Sequence, residues 1–124
     1  MFATADPEGF APVVPGVRRK TLCWGLETLM AEFRLDGGYE LPQHAHPHEQ
    51  TGYLVSGRLR MTIGEETRDL AAGDSWCIAG DVVHGAHILE DAVAVEVFSP
   101  RREDFLPGVG AGGNATPAQG GRGA

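Results

Sequence analysis

Three of the chain's five histidines, His44, His46 and His48, fall at alternate positions in Gly38-Tyr-Glu-Leu-Pro-Gln-His44-Ala-His46-Pro-His48-Glu49-Gln50-Thr-Gly-Tyr-Leu-Val-Ser-Gly57. Alternate side chains of an extended strand share a face, so His44 and His46 project side by side. His48 joins them only if the strand continues through Pro47. Two imidazoles on one face, with a carboxylate or amide a few residues on, form a ligand set for a divalent transition metal. Residue type alone leaves His48, Glu49 and Gln50 in competition for the next ligand position. The alternative for a lone His-x-His pair beside a proline turn is a pair of ordinary surface histidines.

The segments that must position these residues read as strands. Residues 1–16 hold Pro7, Pro12 and Pro15 with Gly9 and Gly16. Prolines this dense exclude helix and central strand, which predicts an extended arm, laid along a partner subunit. Within residues 17–35, Leu29, Ala31, Phe33 and Leu35 recur at every second position, the pattern of a half-buried strand. Residues 26–33 also contain good helix formers, but the alternation and the Asp36-Gly37-Gly38 turn favour strand. Further strands are predicted at 50–56, ending at Gly57, and at 58–63, 67–71 and 75–78. Two more follow at 84–89 and 92–98, separated by Glu90 and Asp91. Short strands at such close spacing indicate an all-β sandwich or barrel. Residues 106–124 are rich in Gly, Ala and Pro and too poor in apolar residues to offset their ordering entropy, so a flexible tail is expected there.

With 124 residues the chain suits one domain, able to bury about 65% of its unfolded surface. A net charge of −7 argues against nucleic acid or an anionic membrane as partner. It leaves room for an anionic small molecule met by a local arginine. Cys23 and Cys77 form no C-x-x-C unit and read as small hydrophobes in a reducing compartment. No basic leader and no run of about 20 apolar residues is evident, so a soluble, cytoplasmic protein is expected.

The spacing from Gly38 to Gly57 resembles the first signature of the cupins, with Gln50 where glutamate is commoner. Gly73-Asp-Ser-Trp-Cys-Ile-Ala79-Gly80-Asp81-Val-Val-His84 is similar to their second signature. There Ala79 replaces a proline, Asp81 replaces a glycine, and Ile88 stands where an asparagine often ends the motif. The resemblance implies a cupin double-stranded β-helix barrel over residues 17–105, jelly-roll-like and all-β. It also implies one divalent metal ion (Fe, Mn, Ni, Co or Zn) bound by His44, His46, Gln50 and His84. Such a ligand set leaves positions open to water or substrate. An amide in place of a carboxylate makes the site one charge more positive, which favours an anionic ligand. His87, three residues beyond His84, faces the other side of a strand and belongs to the surface.

Together with these motifs, the segment Glu96-Val-Phe98-Ser-Pro-Arg101-Arg102-Glu103-Asp104-Phe105 resembles the small cupins of pectin and alginate breakdown. Those enzymes open 4,5-unsaturated uronate monosaccharides to linear keto-sugar acids. An Asp-x-Phe-x-x-x-Arg run contributes to their site, and its matching positions here are Glu96, Phe98 and Arg102. The resemblance thus implies Glu96 as a proton-transfer group, Arg102 as anchor of a uronate carboxylate, and Phe98 against the sugar ring. Glu96 is one methylene longer than the aspartate of the pattern. The alternatives are an exposed strand residue for Glu96 and a loop ion pair with Glu103 or Asp104 for Arg102. Tyr53 is a further candidate for substrate contact; for it and for Trp76, core packing is the alternative. An anionic sugar as partner, a homodimer, and no nucleic acid or membrane partner complete the expectation. Rival readings are an Fe(II) dioxygenase, which would consume oxygen, and a non-catalytic sensor, which would bind without turnover.

Overall fold

The computed structural model describes residues 1–108, so residues 109–124, most of the expected tail, lie outside the described residues. Eight strands form: β1 (Ala11–Val14), β2 (Val17–Trp24), β3 (Leu29–Leu35), β4 (Glu40–His44), β5 (Glu49–Ile63), β6 (Glu66–Ala71), β7 (Ser75–Ile78) and β8 (His84–Ser99). A single 3-10 turn, Glu103–Phe105, follows. Every pairing is antiparallel, in the order β1-β2-β3-β8-β5-β6, with β4 also on β8 and β7 also on β5. No described helix is long and apolar enough to cross a membrane.

Residues 26–33 do not become a helix. The Gly25 N–H donates to the Thr28 carbonyl at 2.9 Å, closing a turn, and Leu29–Leu35 then pairs with β2 on one side and β8 on the other. A strand whose apolar residues alternate gains more from two ladders and a buried face than from local helix propensity.

Two expected breaks are absent. The strands predicted on either side of Gly57 are one 15-residue strand, β5, and those on either side of Glu90 and Asp91 are one 16-residue strand, β8. Gly57 (φ 88°) is a bulge rather than a turn, and the β5–β8 register shifts around it. Its missing side chain matters: a Cβ there would run into the Asp91 carbonyl oxygen and lie 2.5 Å from the Ala92 Cα. The bulge lets each long strand change partners along its length. The first half of β5 lies between β7 and the end of β8, and its second half lies between β6 and the start of β8.

The inward positions of β8 include Ala86 and Ala94, and these short side chains leave the barrel hollow. A cavity of about 320 Å³ results, reached by residues of most strands. Two apolar clusters wall it. One is built around Leu54, Leu59, Ile78 and Ile88, and the other around Leu29, Phe98, Phe105 and Leu106. Leu106, the first residue of the expected tail, is thus packed in the second cluster at 2% exposure. The N-terminal arm lies on its own chain. β1 pairs with β2, Lys20 Nζ donates to the Asp6 carbonyl at 2.9 Å, and the Arg34 guanidinium lies 4.6 Å from the Phe10 ring centroid.

Gly57→Ala should destabilise the protein by about 2–4 kcal/mol, from a strained positive φ plus a backbone clash. Urea unfolding measures this; a midpoint equal to wild type would show that the bulge carries no such constraint.

Candidate metal centre

β4 ends at His44, and the chain turns through residues 45–48 before β5 begins. His44 and His46 therefore do not share a strand face, yet their rings converge. The His44 Nδ1–H donates back to the Pro42 carbonyl at 3.0 Å, and the His46 Nδ1–H donates forward to the His48 carbonyl at 3.0 Å. His84, at the start of β8 and opposite His44 in register, donates its Nδ1–H to the Val82 carbonyl at 2.9 Å. Ring centroids lie 5.5 Å apart for His44 and His46, 4.3 Å for His44 and His84, and 4.9 Å for His46 and His84.

A carbonyl only accepts, so each Nδ1 carries the proton in these bonds, and a ring in its neutral form then has its lone pair on Nε2. One ligand atom from each ring lies within 4.8 Å of the others. His84 Nε2 is buried with no hydrogen-bond partner among the described residues. A buried orphan acceptor is costly unless something outside the protein satisfies it. Burial lowers the His84 pKa; the Val82 carbonyl opposes this, and the neighbouring imidazoles and Arg102 add to it. A neutral ring is the form that binds a metal.

Gln50 adds a second sign of the same kind. Its side-chain nitrogen donates to Glu96 Oε1 at 2.7 Å, so its carbonyl oxygen is turned toward His46 Nε2, 2.9 Å away. With the His46 ring neutral and its proton on Nδ1, two lone pairs face each other there. A cation bound by both turns that repulsion into coordination, and adjacent ligands of a six-coordinate ion sit about 3 Å apart, given metal–ligand distances near 2.1 Å. His44, His46, His84 and Gln50 therefore fit a divalent transition metal.

The competitors of Gln50 are outside the group of three converging ligand atoms, although His48 Nδ1 is also buried without a hydrogen-bond partner among the described residues. Glu49 is exposed and accepts from the Cys77 thiol at 3.8 Å, while the His48 ring stands beside His46 with a centroid separation of 5.7 Å. His87 is exposed near Glu40, as its position in the strand implied. The loop holding His46 is pinned by the second motif: the Asp81 N–H donates to the His46 carbonyl at 2.7 Å. Asp81 itself takes φ 68°, the left-handed conformation that the replaced glycine would adopt easily and aspartate tolerates.

Glu96 is buried at 7% exposure and lines the cavity with Phe98 and Arg102. Gln50 and the Trp76 indole N–H, at 3.0 Å, both donate to Oε1, and Oε2 has no partner among the described residues. Burial pushes the Glu96 pKa from its ordinary 4.5 to about 7, against the downward pull of the two donors. Gly52, opposite both residues in the ladders, makes the room: a Cβ there would collide with the Trp76 ring and lie 2.5 Å from Glu96 Oε1. Trp76 thus packs in the core and also orients the acid. That link was hidden in the sequence, since it requires β7 and β8 to flank the same stretch of β5. Arg102 does form the loop ion pair with Asp104, yet it keeps its place on the cavity wall. Tyr53 does not join the site. It alternates outward from Gly52 and Leu54, is 52% exposed and lies away from the cavity, which corrects both the substrate-contact and the core reading of it.

Residues 31–99 match the cupin domain, and the chain belongs to the cupin family. The pectin degradation protein KdgF of Dickeya dadantii is 32% identical over 93 residues, covering 73% of this chain and 84% of that protein. Among solved structures, KdgF from Halomonas sp. superposes with a TM-score of 0.81 at 32% identity, over 86% of this chain and 100% of that one. An RmlC-like cupin from Shewanella frigidimarina gives 0.80 at 30% identity, over 85% and 95%.

The raised pKa of Glu96 has a definite sign in stability. Between pH 4.5 and about 7 the folded state keeps a proton that the unfolded chain gives up. Stability of the metal-free protein should therefore fall across that window, by roughly 3 kcal/mol. Glu96→Gln should remove that part of the slope. Thermal unfolding of chelated protein at several pH values checks this; parallel profiles for wild type and variant would contradict it.

Proposed function

We propose that this cupin opens the ring of 4,5-unsaturated uronate monosaccharides, giving linear keto-sugar acids. The observation that carries the reading is the placement of Glu96. One carboxyl oxygen is clamped by Gln50 and Trp76, and the other has no partner among the described residues, in the cavity that the imidazoles line. The similarity to two proteins named KdgF, one of them described as a pectin degradation protein, supports the same class of substrate.

Ring opening is an isomerisation and needs no added reactant. The C1 hydroxyl loses its proton, the bond from C1 to the ring oxygen breaks, and C1 becomes an aldehyde. The electron pair left on the ring oxygen forms an enolate across C4 and C5, and a proton delivered to C4 completes the C5 ketone. A bound divalent ion, held by His44, His46, His84 and Gln50, would polarise a sugar oxygen as a Lewis acid. Glu96 Oε2 takes the hydroxyl proton, and the resulting acid is available to return it. A carboxyl group near 7 serves both directions at neutral pH. Phe98 supplies an apolar wall against the sugar ring, and Arg102 contributes positive charge toward the carboxylate. The space that Gly52 leaves for the carboxyl group supports this role for Glu96 despite its extra methylene.

Loss of enol-ether absorbance from 4,5-unsaturated galacturonate tests the proposal directly. Protein loaded with at least one of Fe, Mn, Ni, Co or Zn should accelerate that loss over buffer, and Glu96→Gln should lower kcat by about a hundredfold or more. No acceleration with any of the five metals would overturn the reading. An equally active Glu96→Gln variant would remove Glu96 from it.

A further inference from the structure

The imidazoles and Glu96 leave one edge of the cavity unexplained. On β2, Val17 faces inward at 1% exposure, and Arg19, two residues on, shares that face and lines the cavity. Its guanidinium carbon lies 3.6 Å from the Phe105 ring centroid. Arg102 lies 4.1 Å from the same centroid and 5.2 Å from that of Phe98. Phe98 joins this edge to the metal centre, with its ring centroid 5.2 Å from that of Phe105 and 6.0 Å from that of His46.

The two arginines differ in what already holds them. Arg102 gives Nε and Nη2 to the Asp104 carboxylate at 3.0 and 2.8 Å. Arg19 makes no hydrogen bond or ion pair with any described residue, and Asp104 acts on it only through space. Its contact with the Phe105 ring satisfies none of its five N–H donors. Half-burial lowers the Arg19 pKa; Asp104 raises it, and Arg102 lowers it further. Guanidinium nevertheless stays charged at any working pH. Two guanidiniums beside one carboxylate leave a net positive charge at this edge, in a cavity of mostly apolar wall. A planar fork with unused donors in such a place matches a carboxylate.

We propose that Arg19 is a substrate-positioning residue that binds the carboxylate of the sugar acid, with Arg102 beside it. The proposal rests on the ring-opening reading for the identity of that acid. The carboxylate then lies at the Phe105 end, and the rest of the sugar extends past Phe98 toward Glu96 and the imidazoles. Arg19 fixes which way round the sugar enters.

Calorimetry with galacturonate and its neutral counterpart galactose tests this without turnover. Wild-type protein, metal-loaded and chelated, should prefer galacturonate. Arg19→Met should weaken galacturonate binding about tenfold or more, as expected for loss of a charge-assisted bond, and leave galactose binding unchanged. Arg19→Lys, which keeps charge and stem but not the fork, should fall between and serves if the methionine variant does not fold. With unsaturated galacturonate, Arg19→Met should raise KM more than it lowers kcat. If wild type shows no turnover but the preference follows Arg19, the anchor stands and the ring-opening reading fails. Three results overturn the anchor. Wild type could bind the two sugars equally, or the substitutions at Arg19 could leave the preference intact. The preference could also vanish on chelation alone, which would assign the carboxylate to the metal.

Discussion

Each imidazole of the triad gives its Nδ1–H to a backbone carbonyl two residues away, and the three Nε2 lone pairs are thereby aimed at one another. Within the protein this is unfavourable. His84 Nε2 is buried without a donor among the described residues, and His46 Nε2 meets the Gln50 carbonyl oxygen at 2.9 Å. The arrangement becomes favourable when a cation takes all four lone pairs. Metal binding and folding are then coupled, because the carbonyls that orient the rings, one on β4 and two in the loops before β5 and β8, are in place only in the folded barrel.

Gln50 ties this centre to the rest of the cavity. Its oxygen faces His46 and its nitrogen holds Glu96, so a displaced ligand would also displace the acid. Trp76 steadies the same carboxyl oxygen from the other neighbour of β5. Gly52 is where β5 passes between them, and its lack of a side chain is what allows two large polar groups to meet inside a barrel. The alanines of β8 do the corresponding service for the cavity. The site is thus made as much by what small residues omit as by what the ligands supply.

Much of this was legible in the sequence, because strand periodicity and fixed spacing survive folding. Gln50 faces inward and His87 outward as their positions implied, and the three histidines His44, His46 and His84 meet. The convergence of His44 and His46 has a different cause from the expected one. Pro47 lies in a turn, not a strand, and opposite hydrogen-bond directions bring the rings together. Gly57 read as a strand end because a glycine in a turn and a glycine in a bulge look alike without the partner strand. Glu90 and Asp91 misled for the same reason. Arg19 gave no signal: in a strand carrying Arg18, Arg19 and Lys20, nothing local tells which cation points inward. Its role depends on Phe105, far along the chain, packing beneath it.

The coordination of the ion tests the account most directly. X-ray absorption fine structure of protein loaded with cobalt(II) and desalted should show one ion per chain with three imidazole nitrogens, and substitution of Gln50 by Ala should remove a protein oxygen from that shell. Loss of the cobalt on desalting, or a shell with fewer than three imidazoles, would contradict it.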